Sequence, residues 1–360
     1  MRKHNLAAAI LFCGFLFSIA AGYLLLPKSD FSEMEKRYLA EVPAFRFDTV
    51  FSGKWSKDAE TYLSDHVPLR NLFVGINSYV ELFSGRQHLK DVWLEDGKLV
   101  EAPVTLDQGA IDRNMRAINN LAQTLGQEVH VMVVPTAGWA AGIAGYDDDA
   151  SIQAIASAAG EGVIPVSVED IYRDKPGLYY DTDHHWTSEG AHLGYQAFTQ
   201  AVGREARSAE AFEVTVAGNF QGSTYSRSAL WMTPPEEIEL WHGSENLTVT
   251  NGETEGVHEG IFYYERLEEA DKYTVFLDGN HSIVRVTNPG KEGKLLVIRD
   301  SYSNCLGGFL AESYGEVVLI DLRYYRTPVS VLAQEEAFDN ILVCYNCANF
   351  LTDTNLMLLR

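Results

Sequence analysis

The sequence predicts an α/β fold: a three-layer domain with a mainly parallel sheet, a β-rich insertion and an N-terminal transmembrane helix. Three observations carry this reading. Short apolar runs at 129–134, 163–168, 295–298, 317–320 and 341–343 alternate with helical stretches. They are continuously apolar rather than alternating, as strands covered on both faces require. Most of them stop at polar groups, namely Thr136, Arg299-Asp300-Ser301, Asp321 and Tyr345-Asn346. In open α/β sheets, ligands bind beyond the carboxyl ends of the strands. The third observation is an apolar segment from Leu6 to Leu26, preceded by Arg2, Lys3 and His4.

That segment has 21 residues, enough at roughly 1.5 Å per residue to span a hydrocarbon core of about 30 Å. Ser18 and Ala20 would suit a signal-peptide cleavage site, but Tyr23-Leu24-Leu25-Leu26 carries the run past it. An uncleaved single-pass anchor is the preferred expectation. The basic residues ahead of it put the N-terminus inside and the body of the protein outside the cell membrane. Cys13, next to bulky Phe12, reads as an ordinary apolar cysteine rather than a lipidated one.

The expected organisation is an anchor over 1–27, a helical and hairpin region over 28–104 packing on the main domain, and the α/β domain over 105–360. In the second region, Ala59-Tyr62-Leu63 and the apolar positions from Leu72 to Phe83 suggest helices interrupted at Pro68. Val92–Leu94 and Gly97–Val100 suggest a hairpin turning at Asp96-Gly97. Ile111, Met115, Ile118, Leu121 and Leu125 form a helical face closed by Gly126. Helices follow at 151–159, 188–202 and Leu306–Tyr314. Between about 205 and 290, alternating segments near 212–216, 237–241, 247–250 and 273–277 suggest the β-rich insertion.

The chain of 360 residues carries 28 Lys and Arg against 50 Asp and Glu, a formal charge of −22. That field repels nucleic acid, and no basic run counters it. Four cysteines are too few for a disulfide scaffold. Cys344 and Cys347 follow a strand instead of opening a helix, so two buried thiols or an adventitious disulfide are expected rather than redox or zinc chemistry. Asp147-Asp148-Asp149 reads as an exposed turn.

The densest polar cluster is Tyr179-Tyr180-Asp181-Thr182-Asp183-His184-His185-Trp186, just before a helix start at Thr187-Ser188-Glu189. Two histidines beside two carboxylates suit a base with its orienting acid, a metal site, or a loop of mutually satisfied polar groups. A second element is the strand Leu295–Ile298 running into Arg299-Asp300-Ser301 and a helix. A serine at such a turn exposes its oxygen beside backbone N–H groups that can hold an oxyanion. It needs a histidine base held by an acid, which the first cluster supplies. The alternative for Asp300-Ser301 alone is a plain helix cap.

The block Tyr180–Thr187 resembles the namesake motif of the DHHW protein family. Phe45–Gly53, Ser64–Asn71, Leu277–His281 and Ile298–Asn304 resemble its other segments. That family is similar to the alginate O-acetyltransferase family and, more remotely, to SGNH hydrolases. The resemblance implies an SGNH hydrolase-like fold, with Ser301 as nucleophile, His185 as base and Asp183 as its orienting acid. Asp181 with His184 is the alternative register. Asn280 and Asn304 are candidate oxyanion donors, and Arg299 and Trp186 candidate substrate contacts. Arg299 departs from the glycine that SGNH enzymes place before Asp-Ser.

The resulting expectation is a membrane-anchored serine O-acetyltransferase or acetylesterase needing no cofactor and no metal. The resemblance implies a glycan acceptor and a membrane O-acyltransferase partner that delivers acetyl groups. The rival expectation is a non-catalytic glycan-binding or envelope-assembly protein on the same fold, and a third is a metal-dependent hydrolase using His184 and His185. Arg227, Arg323 and Arg326 are candidates for a basic rim, with solvated arginines as the default, and His66 is expected to be structural.

Overall fold

The computed structural model describes residues 2–32, 37–89 and 91–359. The chain divides into two compact units, residues 1–89 with 225–232 and residues 90–224 with 233–360.

The first unit begins with α1, Arg2–Leu25, whose stretch from Asn5 to Leu25 is long and apolar enough to cross a membrane. The side chains of Arg2, Lys3 and His4, on which the expected orientation rests, lie outside the described residues. Helices α2 (Lys54–Asp65) and α3 (Arg70–Phe83) follow, parted at Pro68 as the pattern predicts. Phe15 of α1 meets Phe73 of α3 edge-on, with ring centroids 6.4 Å apart. The 225–232 segment returns from far along the chain to pack Trp231 against Tyr79 and over Gly75. A Cβ on Gly75 would lie 1.8 Å from the Trp231 ring, so only glycine fits.

The second unit opens with the hairpin β1 (Val92–Glu95) and β2 (Lys98–Glu101). Its turn residues Asp96 and Gly97 both have positive φ, as a two-residue hairpin turn demands. The expected boundary at 104 therefore moves: the hairpin belongs with the α/β domain, and 225–232 is a piece of the first unit inside the expected insertion.

The core elements are α4 (Gln108–Leu125), β3 (Val129–Val134), α5 (Asp148–Ser157), β4 (Val163–Val166) and α6 (Ser188–Ala201). The insertion contributes β5 (Glu213–Phe220), β6 (Glu236–His242), β7 (Thr248–Asn251) and β8 (His258–Glu259). Then come β9 (Ile283–Thr287), β10 (Lys294–Arg299), α7 (Ser303–Leu310), β11 (Glu316–Ile320), α8 (Val329–Glu336), β12 (Asn340–Asn346) and α9 (Cys347–Thr352).

The main sheet has the order β8-β7-β9-β11-β10-β12-β3-β4. Strands β11, β10, β12, β3 and β4 run parallel, while β9, β7 and β8 add an antiparallel edge. Successive residues of β10 serve opposite layers. Leu295 and Val297 pack with α6 and α7, whereas Leu296 and Ile298 pack with α4, α5, α8 and α9. This is the three-layer α/β arrangement the sequence predicts. The insertion is partly absorbed: β7, β8 and β9 extend the sheet, and β5 and β6 pair separately. The expected strand at 273–277 is instead a short 3-10 turn, Lys272–Val275, with Tyr273 and Val275 buried. Asp147–Asp149 is not an exposed turn. It starts α5, and buried Asp148 accepts the Thr136 N–H at 2.6 Å.

Candidate active site

Strand β10 is flanked by β11 and β12, so its carboxyl end lies inside the parallel block. There the chain turns through Asp300 and Ser301 into α7. The Asp300 carboxylate is buried and accepts three N–H groups: Tyr302 at 3.0 Å, Asn346 at 2.9 Å and the Asn349 amide at 2.7 Å. Burial raises its pKa, and these donors oppose the rise. Asp300 thus pins the turn to the end of β12 and leaves Ser301 partly exposed above it.

The loop before α6 brings the second half of the site. Asp183 and His185 lie two residues apart, and the carboxylate bends back on its own segment. Asp183 Oδ1 accepts the His185 backbone N–H at 2.9 Å and the His185 Nδ1–H at 2.5 Å. Its other oxygen accepts the Ser223 N–H at 2.6 Å. With Nδ1 donating to the acid, His185 Nε2 is the acceptor for the Ser301 hydroxyl, 2.8 Å away. Asp183 and His185 are both buried. Tyr273 lies flat on the imidazole, with centroids 3.8 Å apart and planes 7° from parallel. Gly222 backs the acid so closely that a Cβ there would stand 2.2 Å from Asp183 Oδ2.

The other register is not assembled. Asp181 is ion-paired with Lys98. The ring of His184 meets the Ser223 hydroxyl at 2.5 Å, and its carbonyl accepts the Tyr302 phenol. Among the described residues, Asp183, His184 and His185 form one group whose ligand atoms lie within 4.8 Å of one another, close enough to hold a metal ion. An ion bound there would compete with the Asp183–His185 link.

Asn280 is delivered by an unusual turn, in which Leu277, Asp278 and Gly279 all have positive φ. Asp278 is braced there by Arg266 and His281. Such strain persists only where surrounding contacts enforce it. Asn280 Oδ1 accepts from Arg299 Nη1 at 3.0 Å and from Asn304 Nδ2 at 3.3 Å. Its Nδ2 is therefore the end left over for another acceptor. Asn304 is buried and committed to Arg299 and Asn280, which removes it as a substrate-facing donor. Arg299 is fully buried, so the expected substrate contact becomes a brace for the two amides. Trp186 is likewise fully buried, and its indole N–H donates to the Tyr302 carbonyl at 3.0 Å. It fastens one half of the site to the other and does not reach solvent. The Ser301 N–H donates to no group among the described residues.

Sequence reasoning missed Tyr273, Gly222 and Glu236. Glu236 accepts the backbone N–H groups of Asp181 and Thr182 at 2.8 and 2.7 Å, and its burial raises its pKa. Nothing local to these three residues signals a role, since each acts through a contact made by folding. The remaining candidates are peripheral. Arg323 pairs with buried Asp321, Arg326 binds backbone carbonyls, and Arg227 belongs to the first unit. His66 binds the Tyr62 carbonyl within the first unit. Cys305, Cys344 and Cys347 are free, buried thiols with raised pKa values, that of Cys305 reaching about 12. Thiolate chemistry is thereby suppressed.

Comparison with curated proteins gives no match. Among solved structures, a DHHW family protein from Eubacterium siraeum superposes with a TM-score of 0.64 at 21% identity, covering 74% of this chain and 93% of that one. Bacillus cereus PatB1 gives 0.63 at 20% identity, covering 75% and 99%. A second PatB1 structure, with a sulfonyl adduct, gives 0.62. These likenesses place the fold. The sequence model of the DHHW protein family spans residues 97–320, from the β1–β2 turn through the Asp-His-His-Trp block and Ser301 to the end of β11. The chain belongs to the DHHW protein family.

Proposed function

We propose that the protein is a serine O-acetyltransferase or acetylesterase acting on a glycan outside the cell membrane. The observation that carries this reading is the relay Ser301 Oγ to His185 Nε2 at 2.8 Å and His185 Nδ1 to Asp183 Oδ1 at 2.5 Å. In the reaction, Ser301 Oγ attacks the acetyl carbonyl as its proton passes to His185 Nε2. The oxyanion is held by the Ser301 N–H and the Asn280 amide. Collapse expels the donor alcohol, which takes the proton from His185 and leaves an acetyl ester on Ser301. A glycan hydroxyl or water then loses its proton to His185, attacks that ester and frees Ser301. Asp183 keeps the imidazole in the required tautomer and stabilises its charge.

The resemblance to alginate O-acetyltransferases supports the glycan acceptor, and the helix α1 supports attachment to the membrane. A membrane O-acyltransferase supplying acetyl groups fits the same picture. A Ser301 apart from both histidines would favour the rival non-catalytic reading, and its hydroxyl instead lies 2.8 Å from His185 Nε2. The test uses the full-length protein with p-nitrophenyl acetate and phenylmethylsulfonyl fluoride. Release of p-nitrophenol and one sulfonyl label on Ser301 are expected, and both vanish in Ser301→Ala. Equal turnover by that variant overturns the assignment.

A further inference from the structure

The first unit holds a cavity of about 430 Å³ beside the carboxyl end of α1. Its lining includes Tyr23, Lys28, Asp65, His66, Arg70 and Asn71. Gly22 and Leu26 also face it, so its mouth adjoins the last turn of the apolar helix. The helix is held at this level by Gly22 against Pro68, where an added Cβ would be 3.1 Å from the proline ring.

Two features give the cavity a chemical preference. Among the described residues of its lining, the permanent cations are Lys28 and Arg70 and the carboxylate is Asp65. Lys28 Nζ stands 4.2 and 4.8 Å from the ring centres of Tyr23 and Tyr62 and donates to the Tyr62 hydroxyl at 2.7 Å. Tyrosine and lysine at the end of an apolar span are the residues that settle at a membrane–water interface. Arg70 adds a planar donor fork suited to phosphate oxygens, and Asn71 adds an amide.

The second feature is the sidedness of α3, which starts at Arg70. Its buried positions are small, Gly75 and Ser78. Its exposed positions Leu72, Phe73, Ile76, Val80 and Phe83 form an apolar face. This is the inverse of a helix covering a water-soluble core. An apolar stripe therefore leads away from a cationic cavity, and α1 touches its beginning through Phe15 and Phe73.

We propose that this cavity binds the phosphate headgroup of a membrane lipid whose chain runs along the apolar face of α3. The inference rests on α1 being a retained membrane anchor. An anionic phospholipid and a polyprenyl-phosphate carrier share the required chemistry.

The test measures lipid retained by the full-length chain in detergent micelles, using native mass spectrometry. The probes are phosphatidylglycerol, polyprenyl monophosphate and phosphate-free diglucosyl diacylglycerol. Retention of either phosphate lipid over the phosphate-free one is expected, and the stronger of the two identifies the source. Lys28→Gln with Arg70→Gln should weaken retention roughly tenfold, Asn71→Ala should weaken it a few-fold, and Lys28→Arg should preserve it. Equal retention of the phosphate-free lipid overturns the proposal. So does unchanged retention by the double variant, or by Asn71→Ala should the double variant fail to fold. Flotation with carbonate-washed phosphatidylcholine vesicles separates the two readings. An intact chain that does not float overturns the anchor and the lipid site together. A chain that floats but shows no phosphate preference overturns the site alone.

Discussion

The two units differ in what they do with apolar residues and charge. Among the described residues, the first unit buries only Leu89, Ala229 and Leu230 of its hydrophobic side chains, while the second fills both faces of an eight-stranded sheet. The first carries 11 Lys and Arg against 9 Asp and Glu, and the second 17 against 41. The formal charge of −22 is therefore a property of the unit that carries Ser301. An acidic surface there disfavours long-range capture of a polyanionic glycan, while the nearly neutral first unit has no such field to keep it from an anionic membrane. The second unit is stabilised by its own core. The first leaves apolar surface that lipid or a partner must cover.

Four measurements would break or sharpen this contrast. The largest effect is expected at the relay. Asp183→Asn should lower p-nitrophenyl acetate turnover by roughly a thousandfold or more through the wrong imidazole tautomer, leaving vesicle flotation untouched. Turnover within tenfold of the intact protein would detach Asp183 from the chemistry.

The next compares two apolar side chains. Leu306→Ala in the α7 core should cost about 2–5 kcal/mol in denaturant unfolding. Phe83→Ser on α3, 82% exposed, should change it by only about 0.5 kcal/mol while reducing detergent binding. Equal costs would mean that the first unit buries its helix in the same way as the second.

Gly222→Ala comes third. The new methyl would overlap the Asp183 carboxylate and should cost about 1–3 kcal/mol of stability, seen as a lower melting temperature together with a lower kcat. An unaltered kcat would show that the loop yields without moving the acid.

The smallest effect concerns pH. Burial lowers the pKa of His130 and His192 below 6.5, because the folded state disfavours their charged forms. As pH falls through 6.5 the unfolded chain takes up protons first, so stability drops until the folded pKa values are reached. Below that point the loss levels off. The substitution His192→Phe should flatten this decline, measured as the slope of unfolding free energy against pH. An unchanged slope would exclude His192 as a contributor. The raised carboxylates Asp148, Asp300 and Glu236 act in the opposite sense, weakening the fold as pH rises above the ordinary carboxylate values.

The parallel sheet was legible because strands covered on both faces must be apolar throughout, and the helices because their faces repeat near 3.6 residues. The Asp183–His185 pair was legible because both partners lie on one loop. What periodicity could not reveal was which side of α3 is covered, since the same spacing describes a face turned inward or outward. Nor could it reveal that Arg299, Trp186 and Asn304 are buried. Polar and aromatic residues near a reactive serine suggest contact with substrate, whereas here they tie loops together. The 273–277 segment alternates like a strand, but Tyr273 and Val275 are buried from a 3-10 turn that sets the phenol ring over His185.

The clasp between Trp186 and Tyr302 has a practical consequence. The indole N–H of one segment grips the carbonyl of the other, and the Tyr302 phenol reaches back to the His184 carbonyl. Ser301 and His185 are thus buttoned together by a double fastening beside their shared hydrogen bond, although they lie 116 residues apart. Reactivity of Ser301 toward a sulfonyl reagent should then disappear together with the tertiary structure rather than ahead of it. A covalent label meant to report catalysis would serve equally as a gauge of how much of a preparation is folded.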